Sequence, residues 1–163
     1  MLAEQHEVWA VDLLGFGFTE RLQNIAVNPA TIRQHLYEVW QRLFDRSIVL
    51  IGASLGGAVA IDFALTYPQC VSRLVLIDSV GFSGSFTKSG GYANLSQRIA
   101  QLPHPTLVLW GEHDDVLELE DAGKFEQAIA NSQLVWIKQS GHKPHLEQPQ
   151  ASAEVILTFS CKD

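Results

Sequence analysis

The sequence predicts an α/β fold, a mostly parallel sheet flanked by helices, and two observations carry the prediction. Four short runs, Ser47–Ile51, Leu74–Ile77, Leu107–Trp110 and Leu134–Ile137, are almost continuously apolar instead of alternating with polar residues. A strand buried on both faces has that pattern, whereas one with a wet face alternates. Stretches with helical spacing separate these runs, as a parallel sheet requires for its crossovers.

Taken in order, Val8–Val11 reads as a first strand. Asn28 and Pro29 mark a helix start, Asn28 as the cap and Pro29 in the first turn. Ile32, Leu36, Val39 or Trp40, and Leu43 then line one face, and the helix ends near Phe44. The Ser47–Ile51 strand leads into Gly52-Ala53-Ser54-Leu55-Gly56-Gly57, and Gly57–Thr66 is a small, apolar helix stopped by Pro68. Leu95–Ala100 is one short helix, and 121–129 and 150–159 are two more. The chain is expected to form one domain over residues 1–163, with 78–105 as its loosest connection.

Composition narrows the function classes. A chain of 163 residues, 47% hydrophobic and 18% charged, has the makings of a globular core. Its net charge of −7 disfavours nucleic acid or an anionic membrane as partner, because no basic stripe exists to neutralise phosphates. No uninterrupted apolar run approaches the ~18 residues of a spanning helix. Residues 1–7 lack the basic start and apolar stretch of a signal peptide, so the expected compartment is cytoplasmic. Two cysteines, Cys70 and Cys161, make neither a disulfide framework nor a metal site, and no cofactor or metal is expected.

The chemistry concentrates after the strands. A strand feeding Gly-x-Ser-x-Gly and then a helix is the nucleophile elbow, a turn that lifts a serine oxygen out of the backbone. Read structurally, the same residues are only a flexible Gly/Ser loop. The glycines on either side of Ser54 are expected because a side chain at either place would collide with neighbouring backbone. A serine hydroxyl needs a base to take its proton and a carboxylate to orient that base. Downstream, Gly111-Glu112-His113-Asp114-Asp115 follows one strand run, and Ser140-Gly141-His142-Lys143-Pro144-His145 comes shortly after another. Each candidate sits beyond the C-terminal end of a strand, where open α/β sheets gather their chemistry.

These motifs together resemble the α/β-hydrolase superfamily, in its serine hydrolase branch. Asp12–Thr19 is similar to the loop after the family's fourth strand, Gly52–Gly57 to its elbow, Trp110–Asp114 to its acid turn, and Gly141–Pro149 to its histidine loop. The resemblance implies Ser54 as nucleophile, His142 as general base, Asp114 as orienting acid, and the N–H of Leu55 as one oxyanion donor. Asp78, at the end of Leu74–Ile77, is a rival for the acid. His145 reads as a structural partner and His113 as a turn residue, with His6, His35 and His104 in surface or loop positions. Asp115 and Glu112 read as solvated neighbours of the acid.

Two departures from the family pattern matter. Only seven residues precede the Val8 strand, where the family has three more strands and a loop supplying a second oxyanion donor. The third of those strands would lie between the Val8 and Ser47 strands. The Val8 strand must then pair directly with the elbow strand, pair with another chain, or leave an exposed edge. Between Ile77 and Thr106, where the family inserts a helical cap, Gly and Ser dominate. That region is a reduced cap at most, with Phe82 and Phe86 either lining a pocket or pinning the loop. The expected fold is therefore a truncated α/β-hydrolase fold without a full lid domain.

The function this implies is hydrolysis of a small ester or related acyl compound through an acyl-enzyme on Ser54. Serine at that position argues against the family branches whose nucleophile is aspartate. The alternative is a catalytically impaired relative acting as a fragment, subunit or interaction module, with homo-oligomers forming through the exposed strand edge.

Overall fold

The computed structural model describes residues 1–19, 24, 26–82, 91–92 and 94–161. Its centre is a four-stranded parallel sheet in the order β1 (Ile48–Ala53), β2 (Val71–Ile77), β3 (Thr106–Gly111) and β4 (Ser132–Ile137). The four apolar runs account for these four strands, and the register confirms that all three pairings are parallel.

Helices cover both faces. α1 (Pro29–Leu43) packs on α2 (Leu55–Thr66), and α2 packs on β1 and β2. α3 (Leu95–Arg98) packs on α2, and α4 (Leu119–Ala128) follows β3 and packs on β3 and β4. α5 (Pro144–Glu147) and α6 (Pro149–Ser160) follow β4, and α6 lies against β3 and β4. Strand alternation sorts the core into two layers. Leu74, Leu76, Val108 and Trp110 face the α2 and α4 side, whereas Val75, Ile77, Leu107 and Leu109 face the α6 side with Ile156 and Phe159.

The cap of α1 forms as its sequence dictates. The Asn28 side chain accepts from the Thr31 N–H at 3.1 Å, and Thr31 Oγ1 accepts from the Asn28 N–H at 3.0 Å. An unexpected ionic contact ties three helices together. Asp62 of α2 is buried and takes Arg33 of α1 at 2.6 Å and Arg98 of α3 at 3.0 Å.

The Val8–Val11 segment departs from expectation, because it joins no strand. Val8 and Trp9 are 52% and 49% exposed, and Trp9 instead meets Phe44 at the end of α1, ring edge to ring face, at 6.0 Å. A groove of about 470 Å3 separates this segment from β1, and Leu13, Trp40, Ile51 and Gly56 are among the residues lining it. Strand geometry needs a partner backbone within hydrogen-bonding distance, and none of the described residues supplies one. Direct pairing of this segment with the elbow strand does not occur, and β1 is left at the edge of the sheet: Ile51, mid-strand in β1, is 40% exposed, whereas every residue of β3 is buried.

Phe82 stacks edge-on against Phe125 of α4 at 4.9 Å, pinning the chain after β2 to the core. Phe86 lies outside the described residues, as does much of the expected reduced cap. No helix among the described residues is long and apolar enough to cross a membrane.

Candidate active site

The C-terminal ends of β1, β2 and β3, and the loop after β4, bring Ser54, Asp78, Asp114 and His142 together. Ser54 sits between β1 and α2 at φ 52° and ψ −119°, in the positive-φ region that a serine enters only under strain. Hydrogen bonds hold it there. The Ser54 N–H donates to the Ile77 carbonyl at 2.9 Å, while the Ser54 carbonyl accepts from Gly57 at 3.0 Å and from Val80 at 3.1 Å.

Gly52 has the steric role expected of it, since a Cβ there would come within 2.3 Å of the Gly56 carbonyl. Gly56 does not: a Cβ there meets nothing within 4 Å, because its open side faces the groove beside β1. The close approach of helix to sheet falls instead on Gly57, whose Cβ would run into the side chain of Ser79.

His142 links the other groups. Its Nε2 lies 3.0 Å from Ser54 Oγ, and its Nδ1 lies 3.1 and 3.0 Å from the two oxygens of Asp114. An ionised carboxylate can only accept, so Nδ1 carries the hydrogen and Nε2 is left to accept from the serine hydroxyl. Asp114 Oδ1 also accepts from the N–H groups of Val116 at 2.9 Å and Leu117 at 3.1 Å. Burial pushes the Asp114 carboxyl up, but the His142 contact and these two N–H donors outweigh it and leave the carboxyl below its ordinary value.

The rival carboxylate does not bond to the histidine. Asp78 is fully buried at φ 40°, its Oδ1 accepts from the Gly111 N–H at 3.0 Å, and its Oδ2 has no hydrogen-bond partner among the described residues. Asp78, Asp114 and His142 each offer an atom within 4.8 Å of the others, a spacing that would suit a metal ion. A metal ion there would compete with the Asp114–His142 bond for Nδ1 and the carboxylate, so the donor set suits a histidine–carboxylate pair better than a metal centre.

The other predicted groups are more mixed. Leu55 opens α2, and its N–H has no acceptor among the described residues, as expected for the first turn of a helix. His113 and Asp115 are exposed and Glu112 is half-buried. His104 is not a surface group: it is buried, with Nε2 2.9 Å from the Pro68 carbonyl, because it enters β3 beside the turn before β2. His145 lies on α5 with a buried Nδ1 that has no partner among the described residues, and burial foremost lowers its pKa, with the nearby His142 and Lys143 acting in the same direction.

Glu147 is a residue that motif reading passed over. One carboxylate oxygen accepts from the Gly141 N–H at 2.6 Å and the other from the Lys143 N–H at 3.0 Å, so it clamps the backbone on both sides of His142. Those two donors hold its carboxyl below the usual glutamate range. The available signal was a carboxylate five residues after a loop histidine, a spacing with many other uses.

Comparison with known proteins identifies the family of this fold. The sequence model for the alpha/beta hydrolase fold matches residues 1–90, and the chain belongs to that family. It is 28% identical to the alpha/beta hydrolase domain-containing protein VTE7 of Arabidopsis thaliana, covering 94% of this chain and 66% of that protein. That alignment spans 217 residues, more than this chain contains, so the relative has internal residues with no counterpart here. It is 26% identical to the 2-hydroxy-6-oxo-2,4-heptadienoate hydrolase of Pseudomonas putida, over 97% of this chain and 79% of the relative. Among solved structures, a serine hydrolase involved in carbazole degradation superposes with a TM-score of 0.79 at 25% identity, covering 91% of this chain and 76% of that one. A meta-cleavage product hydrolase superposes with a TM-score of 0.80 at 22% identity, again over 91% of this chain and 77% of the other, which establishes the shared fold. These relatives place the chain among hydrolases.

Proposed function

We propose that the protein is a serine hydrolase of small ester or related acyl substrates. The observation that carries this reading is the continuous contact from Ser54 Oγ to His142 Nε2, and from His142 Nδ1 to Asp114. Ser54 Oγ attacks the acyl carbon while Nε2 takes its proton. Asp114 fixes the tautomer and offsets the charge on the imidazolium. The Leu55 N–H donates to the oxyanion that develops on the carbonyl oxygen. His142 then returns the proton to the leaving group, and water activated by the same ring releases the acid from Ser54. This route needs no metal or organic cofactor. Relatives of this chain include a heptadienoate hydrolase and, at 24% identity, Lipase 1 of Psychrobacter immobilis. The reading therefore commits to attack on an acyl carbon and not to a particular acid.

Turnover of a short-chain nitrophenyl ester tests this reading. Ser54→Ala is expected to abolish hydrolysis while its circular dichroism stays that of the wild type. Undiminished hydrolysis by the folded variant would remove Ser54 from the chemistry.

A second reading, a non-catalytic module that associates through β1, draws on the exposure of Ile51 and the groove beside it. It requires a dimer or larger species in light scattering together with an unreactive Ser54.

A further inference from the structure

Asp78 is the one member of the carboxylate–imidazole cluster to which the proposed chemistry gives no role. It lies at the end of β2, wholly inaccessible to solvent, in a strained positive-φ conformation. One oxygen is satisfied by the Gly111 N–H, and the other, Oδ2, is buried without a partner among the donors and acceptors around it. An oxygen of Asp78 lies within 4.8 Å of an oxygen of the Asp114 carboxylate, and both residues are buried. Two buried carboxylates at that spacing disfavour double ionisation, so one of them holds a proton. Asp114 already takes two backbone N–H donors and the imidazole N–H, all of which favour its charged form. Among the described residues, Asp78 has a single N–H donor and no cation paired with it. The proton therefore belongs on Asp78.

We propose that Asp78 is a positioning residue for the hydrolytic site, a neutral carboxylic acid that donates its hydrogen to Asp114 and so holds that carboxylate against His142. This extends the reading of Ser54, Asp114 and His142 given above and rests on it. The four side chains then form a continuous series, Asp78 to Asp114 to His142 to Ser54, in which only Asp114 is charged at rest. Ionisable groups face Asp78 from three elements: Asp114 after β3, His142 after β4, and Glu147 on α5. Burial foremost, opposed by the Gly111 N–H and reinforced by the charges of Asp114 and Glu147, pushes the Asp78 carboxyl up to about 8. Its contribution to stability is therefore complete below the ordinary Asp value of about 3.9. That contribution is lost as the pH rises through about 8. Ionisation there would break the bond and set two negative charges side by side.

The test compares wild type, Asp78→Asn and Asp78→Ala in three measurements. Asparagine can still accept from Gly111 and donate to Asp114, but it cannot ionise. The first measurement is the rate of fluorophosphonate labelling between pH 6 and 10. The proposal expects the wild-type rate to fall above about pH 8. It expects Asp78→Asn to lack that fall, and Asp78→Ala to label about 10- to 100-fold more slowly at pH 7, the change that losing one hydrogen bond to a charged group carries. The second measurement is thermal stability over the same range, which should decline with rising pH in wild type and stay flatter in Asp78→Asn. The third is the infrared stretch of a protonated carboxyl at pH 7, expected in wild type and missing from Asp78→Asn. An alkaline fall that persists in Asp78→Asn, or the absence of the protonated-carboxyl band from wild type, overturns the proposal. Failure of the wild type to label at all would count against the hydrolase reading. The stability and infrared measurements would still decide the state of Asp78, so the two failures are distinguishable.

Discussion

Asp114 and Asp78 end neighbouring strands, and their surroundings push them to opposite protonation states. Asp114 collects donors and stays ionised, and Asp78 is buried with one. Because its folded-state value is depressed, Asp114 contributes stability above about pH 3.9 that is lost as the pH falls through its lower folded value. Asp114→Asn keeps an oxygen for Val116 and Leu117 but offers the histidine an amide donor, which favours the wrong tautomer. Its ester turnover is expected to drop by ~10⁴-fold with the binding of substrate little changed. Steady-state kinetics on the folded variant check this, and a loss below tenfold would move the orienting role elsewhere. The sequence made both carboxylates candidates, since each follows an apolar strand run. What distinguishes them is the loop after Asp114, whose turn aims the Val116 and Leu117 amides back at the carboxylate. That geometry is not written in the residue types.

Elements whose signals are local were legible. Asn28, Pro29 and Thr31 specify the start of α1 through contacts confined to one turn, and the four buried runs became β1 to β4 with ends moved by up to three residues. Val8–Val11 was misread because its apolar residues say that it can pair, and only the neighbouring backbone says whether it does. Asp62 with its two arginines, and Glu147 with its two backbone amides, depend on residues or turns that meet only after folding. β1 carries the consequence of the missing neighbour. The Ser54 N–H points to β2, so by the alternation of a strand the Gly52 N–H does as well, while the amides of Ile51 and Ala53 point toward the groove. Hydrogen exchange followed by NMR is expected to show Ile51 and Ala53 exchanging at least tenfold faster than Gly52 and Ser54, a gap of only ~1.4 kcal/mol in local opening. Equal protection of all four would mean that the outer edge of β1 is covered in solution.

At the scale of the whole molecule, the sheet assembles its site although the strand that carries the elbow is an edge strand. The chain spans 66% and 79% of the two curated relatives described above, and the wide coverage of this chain in both cases locates the difference in residues that the relatives have in addition. The contacts of Ser54 with His142, His142 with Asp114 and Gly111 with Asp78 draw only on the ends of β1 to β3 and the loop after β4. The functional reading requires that the edge-strand elbow hold Ser54 firmly enough for chemistry. Intact-mass measurement after exposure to a fluorophosphonate, with wild type beside Ser54→Ala, tests it most directly. The account predicts a single adduct on the wild type and none on the variant. A folded wild-type chain that takes up no adduct, or a variant that labels equally well, would contradict it.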